Sequence, residues 1–515
     1  MHMLQTLKMS MELTDVLIDI ERTGIQIDVE VLKRIEVQFR EELVSLEKDI
    51  QAVVYRAMGD TPINLASPDD RSLLVYSRKI SDKSKWKQIF NIGYEIRGNT
   101  KKEKRRPKIA NNTFIKHIKE LAPAQAKTRG SQCTACKGQG RYSFTTKSGA
   151  ESKQKRICKN CDGNGIVYIN MGGAAGLKVS PRGPQDVCAA GFKTDQYTLA
   201  ERLPQLTGDA KEFVEKYVRF SKIRTYLNTF VDGINRELDG NNLIHPQFMQ
   251  CVTSTGRLSS RSPNFQNMPR GGTFPVREAI VSRWDGGYIL EGDYRQLEFR
   301  VAGFLSGDQQ IYEDVRNGVD VHSYTADVMG VNRQEAKAHT FKPLYGGVLG
   351  TPQEMKYYSA FKSKYAGIAD WHQQLQKEAV GTKKVVLPSG REYSFPNAEF
   401  TRAGSVTNST AVKNYPVQGF ATADLLPLAL IRLSNSLREI EDLRSAIINT
   451  VHDSIVMDVH PSEKTRMVSL LKNSMLSIRQ GAKERFGIDY DMPIDIELKL
   501  GYDWLNLEEL NLNEY

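Results

Sequence analysis

With 515 residues, the chain is several times longer than one ordinary folding unit, so two to four domains or subdomains are expected. Apolar residues at 40% supply real cores, yet no stretch approaches the uninterrupted apolar run of a membrane span, which argues against a membrane partner. Lys and Arg exceed Asp and Glu by ten, giving a pI near 9.0, a balance that fits a polyanion such as nucleic acid. The first ten residues lack the apolar core of a secretory signal, so a cytoplasmic location is expected.

In chain order, Leu13, Val16, Leu17 and Ile20 recur at helical spacing and predict helix over 11–39, broken at Thr23-Gly24 before Ile25-Gln26-Ile27. Residues 63–90 read as mostly helical, opened by Ser67-Pro68-Asp69-Asp70. The segment Lys101 to Lys108 holds six basic residues in eight and is expected to be a loop, solvated or lying on phosphates. Residues 129–183 change character, rich in Gly, Lys and Ser and poor in apolar clusters, and read as an inserted module. Within it C-x-x-C-x-G-x-G occurs twice, from Cys133 to Gly140 and from Cys158 to Gly165. The spacing of Cys133, Cys136, Cys158 and Cys161 is near that of four-cysteine zinc sites, and the glycines allow tight knuckles that aim backbone N–H groups at sulfur, so structural Zn²⁺ is expected. Cys188 and Cys251 are expected to be plain core or loop cysteines. Apolar periodicity resumes over 197–226 as long helices, and from Leu243 onward short strands, Gly-rich turns and helices predict a mixed α+β domain.

Four segments carry candidate chemistry. An apolar strand from Tyr288 runs into Asp293, and a helical pattern follows from Leu297; a carboxylate at such a strand end suits a divalent ion. Two β-prone runs from Ala446 to Val459 flank His452-Asp453, which predicts a hairpin with that pair at its tip. Asp293 and Asp453 could meet across one sheet and clamp two metal ions, an arrangement that activates a hydroxyl and stabilises a leaving pyrophosphate. Arg333, Lys337, Phe341 and Tyr345 are spaced by four and would form a drifting stripe on a helix, two cations and then two aromatics, suited to a triphosphate and a base or sugar. Finally Thr253-Ser254-Thr255-Gly256-Arg257-Leu258-Ser259-Ser260, with Pro263 to Pro269 including Asn264 and Gln266, offers hydroxyls, one Arg and amides for sugar-phosphate and minor-groove contacts.

In this order the segments TSTGRLSS with PNFQNMP, DYRQLEFR, RxxxKxxxFxxxYG and VHD resemble the diagnostic motifs of family A DNA polymerases. Asn414-Tyr415-Pro416-Val417-Gln418-Gly419 resembles that family's minor-groove helix, and the similarity reaches both ends of the chain, apart from roughly residues 95–190. The resemblance implies a right-hand architecture: an antiparallel-sheet palm, helical fingers and a helical thumb, with the N-terminal helix and thumb in 1–247, the zinc insert at 129–183, palm in 248–305 and 411–515, and fingers in 306–410. It implies Asp293 and Asp453 as ligands of two Mg²⁺ ions, and Arg333, Lys337, Phe341, Tyr345, Glu298 and Gln296 around an incoming dNTP. Glu298 would lie under C2′ and exclude a ribose hydroxyl. Arg257, Asn264, Gln266, Asn414, Gln418 and His452 would contact primer-template DNA.

Three departures from the family pattern stand out: Ser454 where an acid commonly follows the VHD aspartate, Thr410 where an Arg is usual, and Pro343 inside the fingers stripe, where a kink or early helix end is expected. The start of the chain matches the start of the family's polymerase region, which implies no proofreading domain and leaves room for a separate exonuclease subunit. The implied function is primer extension in replication of a phage-like genome. The alternatives are repair or gap filling, a single-subunit RNA polymerase, which Glu298 opposes, and an interaction scaffold built on the zinc module. The insert itself is expected either to staple an enlarged thumb or to engage a processivity factor or DNA.

Overall fold

Apolar side chains three and four apart draw the first helix, α1 (His2–Thr23), into a core that buries Met9, Leu13, Val16, Leu17 and Ile20. The computed structural model describes residues 2–97, 100–144, 152, 154–347, 350–402 and 404–515; residues 145–151 and 153 of the expected insert lie outside the described residues. After α1 come strand β1 (Ile25–Ile27) and helix α2 (Val29–Met58). The chain folds as two units, Met1–Glu36 with Asn228–Tyr515, and Val37–Leu227, so the expected 1–247 segment is shared between them. Among the described residues no helix is long and apolar enough to cross a membrane.

In the Val37–Leu227 unit the predicted helical stretch 63–90 is two helices, Pro68–Tyr76 and Lys83–Ile89. The first is capped by the Ser67 side chain and ends at Ser77, where φ is 62°. The basic run does not lie wholly in a loop: its first residues enter a hairpin of β2 (Tyr94–Arg97) and β3 (Thr100–Glu103). The insert is a ribbon, with β4 (Ala126–Gln132) paired to β7 (Ile166–Ala174) and the short strands β5 (Arg141–Tyr142) and β6 (Arg156–Ile157) paired between them. The expected long helices of 197–226 reduce to a five-residue turn of helix, Gln196–Ala200, and α3 (Gly208–Tyr226), which buries Phe213, Tyr217 and Phe220 in the unit's own core.

In the other unit β8 (Leu243–Ile244) and β9 (Ile280–Val281) flank β1. The strand β10 (Tyr288–Tyr294) leads into helix α4 (Leu297–Ser306). Further on come α5 (Arg333–Thr340), α6 (Ser409–Gly419), α7 (Leu426–Arg438), the hairpin β11 (Ala446–Val451) and β12 (Ser454–Val459), helix α8 (Lys464–Leu476), β13 (Ile496–Gly501) and β14 (Glu508–Glu509). These strands make one antiparallel sheet in the order β11-β12-β10-β13-β14.

The two faces of that sheet differ because side chains alternate along a strand. Gly292 and Tyr294 of β10 meet α8: the Tyr294 hydroxyl donates to the Met475 carbonyl at 2.7 Å, and a Cβ on Gly292 would stand 2.5 Å from Met475 Sδ. Glu291 and Asp293 therefore point to the opposite face, together with Glu497 and Lys499 of β13. The helix rests directly on the strand backbone next to Asp293, so Gly292→Ala is expected to cost about 1–3 kcal/mol of stability through overpacking. The shift in the denaturant midpoint measures it, and a variant as stable as the parent contradicts this packing.

Candidate active site

The hairpin at 446–459 forms as its sequence suggests, with His452 at φ 58° and Asp453 completing the two-residue tip. In the β10–β12 ladder Asp293 stands opposite Ser454, and the Tyr294 N–H donates to the Asp453 carbonyl at 3.4 Å. Residues 160 positions apart in sequence thus come together at the same end of two neighbouring interior strands. Burial, then the charge of Asp453, pushes the Asp293 carboxyl upward from the usual range, and burial, then Glu298, does the same to Asp453. Positive charge nearby only partly offsets this. Arg270 approaches Asp293 at 3.7 Å from a half-exposed position, and His452 is pushed down to about 4 by desolvation and by Arg257, Arg270 and Arg277, so it is neutral at pH 7. Two carboxylates at this strand end with incomplete compensation are a donor set that suits divalent cations.

Around this pair sit several other expected residues. Glu298, in the first turn of α4, is ion-paired with Arg257. Gln296 turns the chain from strand to helix at φ 54°, and its carbonyl accepts the N–H groups of Phe299 and Arg300. Gln266, expected at the DNA, is buried: its amide donates to the Thr450 carbonyl, and its oxygen accepts the His452 N–H at 3.4 Å, so it braces the hairpin from below. Asn264 accepts the Gln266 N–H at 3.0 Å and caps that turn.

The fingers stripe is shorter than its spacing implies. The α-helix ends at Thr340, Phe341 caps it, and Pro343–Tyr345 forms a 3-10 turn, because Pro343 has no N–H to continue the ladder. Arg333 and Lys337 share the exposed side of α5. Arg333 is engaged by Asp320 at 2.6 Å, whereas Lys337 has no partner among the described residues. Against burial that would raise it, the Arg333 guanidinium holds Asp320 well below the usual carboxylate range. Phe341 lies beside Phe299, ring centroids 6.4 Å apart, which links α5 to the residue after Glu298. Asn414 and Gln418 lie four apart on α6 and so share a face. Among the described residues the Tyr345 hydroxyl, Asn414 Oδ1 and Arg257 Nε are buried without a hydrogen-bond partner, and all three belong to residues expected at a ligand. Other atoms share that state in the Val37–Leu227 unit, such as His117 Nδ1 and Gln196 Oε1, so the signal supports the site only together with its geometry.

A family model described as DNA polymerase family A matches residues 183–506. The chain belongs to DNA polymerase family A. It is 30% identical over 336 residues to DNA polymerase I of Lactococcus lactis subsp. lactis, covering 61% of this chain and 37% of that one. It is 28% identical over 340 residues to the thermostable DNA polymerase I of Thermus thermophilus, covering 62% and 39%. The chain thus spans well under half the length of these relatives. Among solved structures, the POL domain of Pol1 from M. smegmatis, in complex with DNA primer-template and dNTP, superposes with a TM-score of 0.64 at 19% identity, over 96% of this chain and 70% of that one. The shared fold is the α+β right-hand polymerase architecture.

Two features of this family A chain go beyond its motifs. Ahead of the matched span, Cys133, Cys136, Cys158 and Cys161 are buried with all four sulfurs within 4.8 Å of one another. The repeat folds as two matched knuckles: Gly140 N–H and Gly165 N–H each point at the second sulfur of their own knuckle at 3.2 Å, and Cys133 N–H and Cys158 N–H donate across to Gly165 and Gly140 carbonyls at 2.8 Å. Gly140 has φ +70°, and a Cβ there would stand 2.1 Å from the Gly163 carbonyl oxygen. Sequence reasoning also missed the support of the Arg257 loop. Tyr393 donates to the Thr255 carbonyl at 2.8 Å, and Arg391 pairs with the fully buried Asp424 in a π-turn between α6 and α7. No local spacing announces these partners; Asp424 inside an apolar helical run is the one hint.

Two outcomes are expected. In chain prepared with Zn²⁺, Gly140→Ala should take up less zinc per chain than the parent, and equal uptake would contradict the knuckle geometry. The folded state holds protons on Asp293 and Asp453 more tightly than the unfolded chain does, so stability is lost as pH rises through that window. Without added Mg²⁺, Asp453→Asn should therefore be more stable than the parent at pH 8, by about 1–2 kcal/mol, and the difference should vanish near pH 4. Unfolding curves at the two pH values measure it, and a variant no more stable at pH 8 contradicts the electrostatic reading.

Proposed function

We propose that this chain extends a DNA primer on a DNA template with deoxynucleoside triphosphates, Asp293 and Asp453 holding two Mg²⁺ ions. The observation that carries the reading is the register that pairs Asp293 with Ser454, the residue next to Asp453, in a chain of DNA polymerase family A. The M. smegmatis domain of the same fold was solved with primer-template and dNTP, which supports those partners here.

When bound, the two ions lower the pKa of the attacking 3′-hydroxyl and neutralise charge on the leaving pyrophosphate. The protein supplies the rest. Asp293 is a donor fixed by its paired strand, and Asp453 sits in a two-residue turn whose carbonyl accepts the Tyr294 N–H. Lys337 and Arg333 would meet the triphosphate, with Arg333 exchanging Asp320 for phosphate oxygens, a bidentate partner of higher charge. Phe341 offers a ring to the sugar and base. Glu298, oriented by Arg257, occupies the space a 2′-hydroxyl would need. Tyr345, Asn414 and Arg257 would satisfy their unpaired atoms on the nascent pair and primer, with Gln418 and His452 beside them. The four buried cysteines would hold a structural Zn²⁺, which closes a ribbon with almost no apolar core of its own.

Primer extension with dNTPs and Mg²⁺ tests the reading. Asp293→Asn and Asp453→Asn should each lower single-turnover incorporation at least about a thousandfold, some 4 kcal/mol of transition-state stabilisation. Glu298→Ala should raise ribonucleotide use relative to deoxynucleotide use by about tenfold or more. Near-parent rates in either aspartate variant would overturn the assignment.

A further inference from the structure

We propose that the cysteine ribbon, through its described residues 126–144, 152 and 154–174, is a binding surface for the phosphodiester backbone of DNA. The choice of DNA as the polyanion rests on the polymerase reading; the surface itself does not.

Charge is distributed very unevenly along this chain. The Val37–Leu227 unit has 36 Lys and Arg against 19 Asp and Glu, a net +17, while the remainder has 35 against 42, a net −7. Within the positive unit, residues 126–174 hold nine Lys and Arg and two Asp and Glu. A basic face that is merely solvated is ordinarily interleaved with acids. Here Asp162 is the single acid among the ribbon's described residues, and Arg129, Lys137, Arg141 and Lys159 are exposed with no acidic partner among them. Among the described residues the ribbon's interior is little more than its four cysteines and Val167, so most of their other side chains face outward.

The backbone that carries these cations is also held in place. Arg129 sits at a paired ladder position opposite Ile169, Arg141 opposite Ile157, and Lys137 and Lys159 lie in the two knuckles whose crossing hydrogen bonds join at the sulfur cluster. Positive groups on a fixed frame lose less conformational freedom on meeting a regular array of phosphates than the same groups on a tail. Tyr142 and Tyr168, each 38% exposed, stand among them and offer ring faces to sugars or unstacked bases. The exposed Ile166, Ile169 and Met171 are what a protein partner would use, but a net charge this high over so short a segment selects a polyanion.

The test uses the full chain, without nucleotide or Mg²⁺, and fluorescence anisotropy with a labelled DNA duplex and a labelled single strand across a KCl series. Arg129, Lys137, Arg141 and Lys159 are changed together to Gln, and zinc content and the unfolding midpoint confirm that the ribbon is intact. The slope of log affinity against log salt should fall by about 3–4 on duplex, or by about 2–3 on the single strand, whichever the ribbon holds. A control changing the exposed Lys48, Lys87, Lys116 and Lys222 to Gln, outside the ribbon, should leave the slope within about 1 of the parent. Unchanged slopes on both DNAs in the ribbon variant, or equal losses in variant and control, overturn the proposal. So does unchanged DNA binding accompanied by loss of a co-purifying protein, which would make the ribbon a protein-docking surface. Single-nucleotide addition by the parent is measured in parallel: an inactive parent that shows the expected slopes removes the polymerase reading and leaves the ribbon's role standing.

Discussion

The ladder between β10 and β12 pairs Asp293 with Ser454, and the rest of the site is arranged around that pairing. A strand alternates its faces with period two, so a slip of one residue would turn Asp293 toward α8 and bring Gly292 to the open face. Several contacts oppose such a slip. Met475 and Leu471 of α8 fill the space over Gly292, the Tyr294 hydroxyl is tied to the Met475 carbonyl, and the Ser454 hydroxyl donates to the Val451 carbonyl at 3.0 Å. Gln266 holds the hairpin tip from the remaining side. The position of Asp293 is thus set by packing behind the sheet and by hydrogen bonds at the hairpin tip.

The open face is electrostatically costly by comparison. Glu291, Asp293, Glu497 and Asp453 gather there, and they are answered unequally. Lys499 at 2.8 Å and Arg295 at 3.7 Å pair with Glu497, and Arg277 stacks on Trp504 at 3.8 Å, whereas Asp293 has the half-exposed Arg270 at 3.7 Å. Incompletely compensated carboxylates in a cleft cost stability, a trade with function that active sites commonly make. Ser454 adds no charge to the pair, and Glu497 lies directly opposite Asp293 on the other flank.

How much of this was legible depended on the range over which each signal acts. The hairpin at 446–459 and the strand ending near Asp293 were readable because β-prone runs and a polar tip are local patterns. The cysteine cluster was readable because its repeat is local too, although the cross-knuckle bonds from Cys133 to Gly165 were not. The early helix end in the Arg333 stripe was readable too: spacing by four identifies a face, and Pro343 marks where the helix stops. The basic run at 101–108 was read as loop because lysines favour solvent, yet its first residues pair with β2. Glu497, Arg270, Tyr393 and Asp424 were invisible as site or support residues, since each gains its role from a partner more than 20 residues away. The membership of Gln266 in the candidate site was readable, but not its burial beneath the hairpin.

The central claim is that Asp293 and Asp453 form a single divalent-cation site. Anomalous diffraction from crystals soaked in Mn²⁺ tests it most directly, because the signal locates the ion independently of activity. The account predicts a strong peak within bonding distance of both carboxylates, absent from Asp293→Asn crystals treated identically. A peak bound to one carboxylate alone, or no peak with the two side chains turned apart, would contradict it.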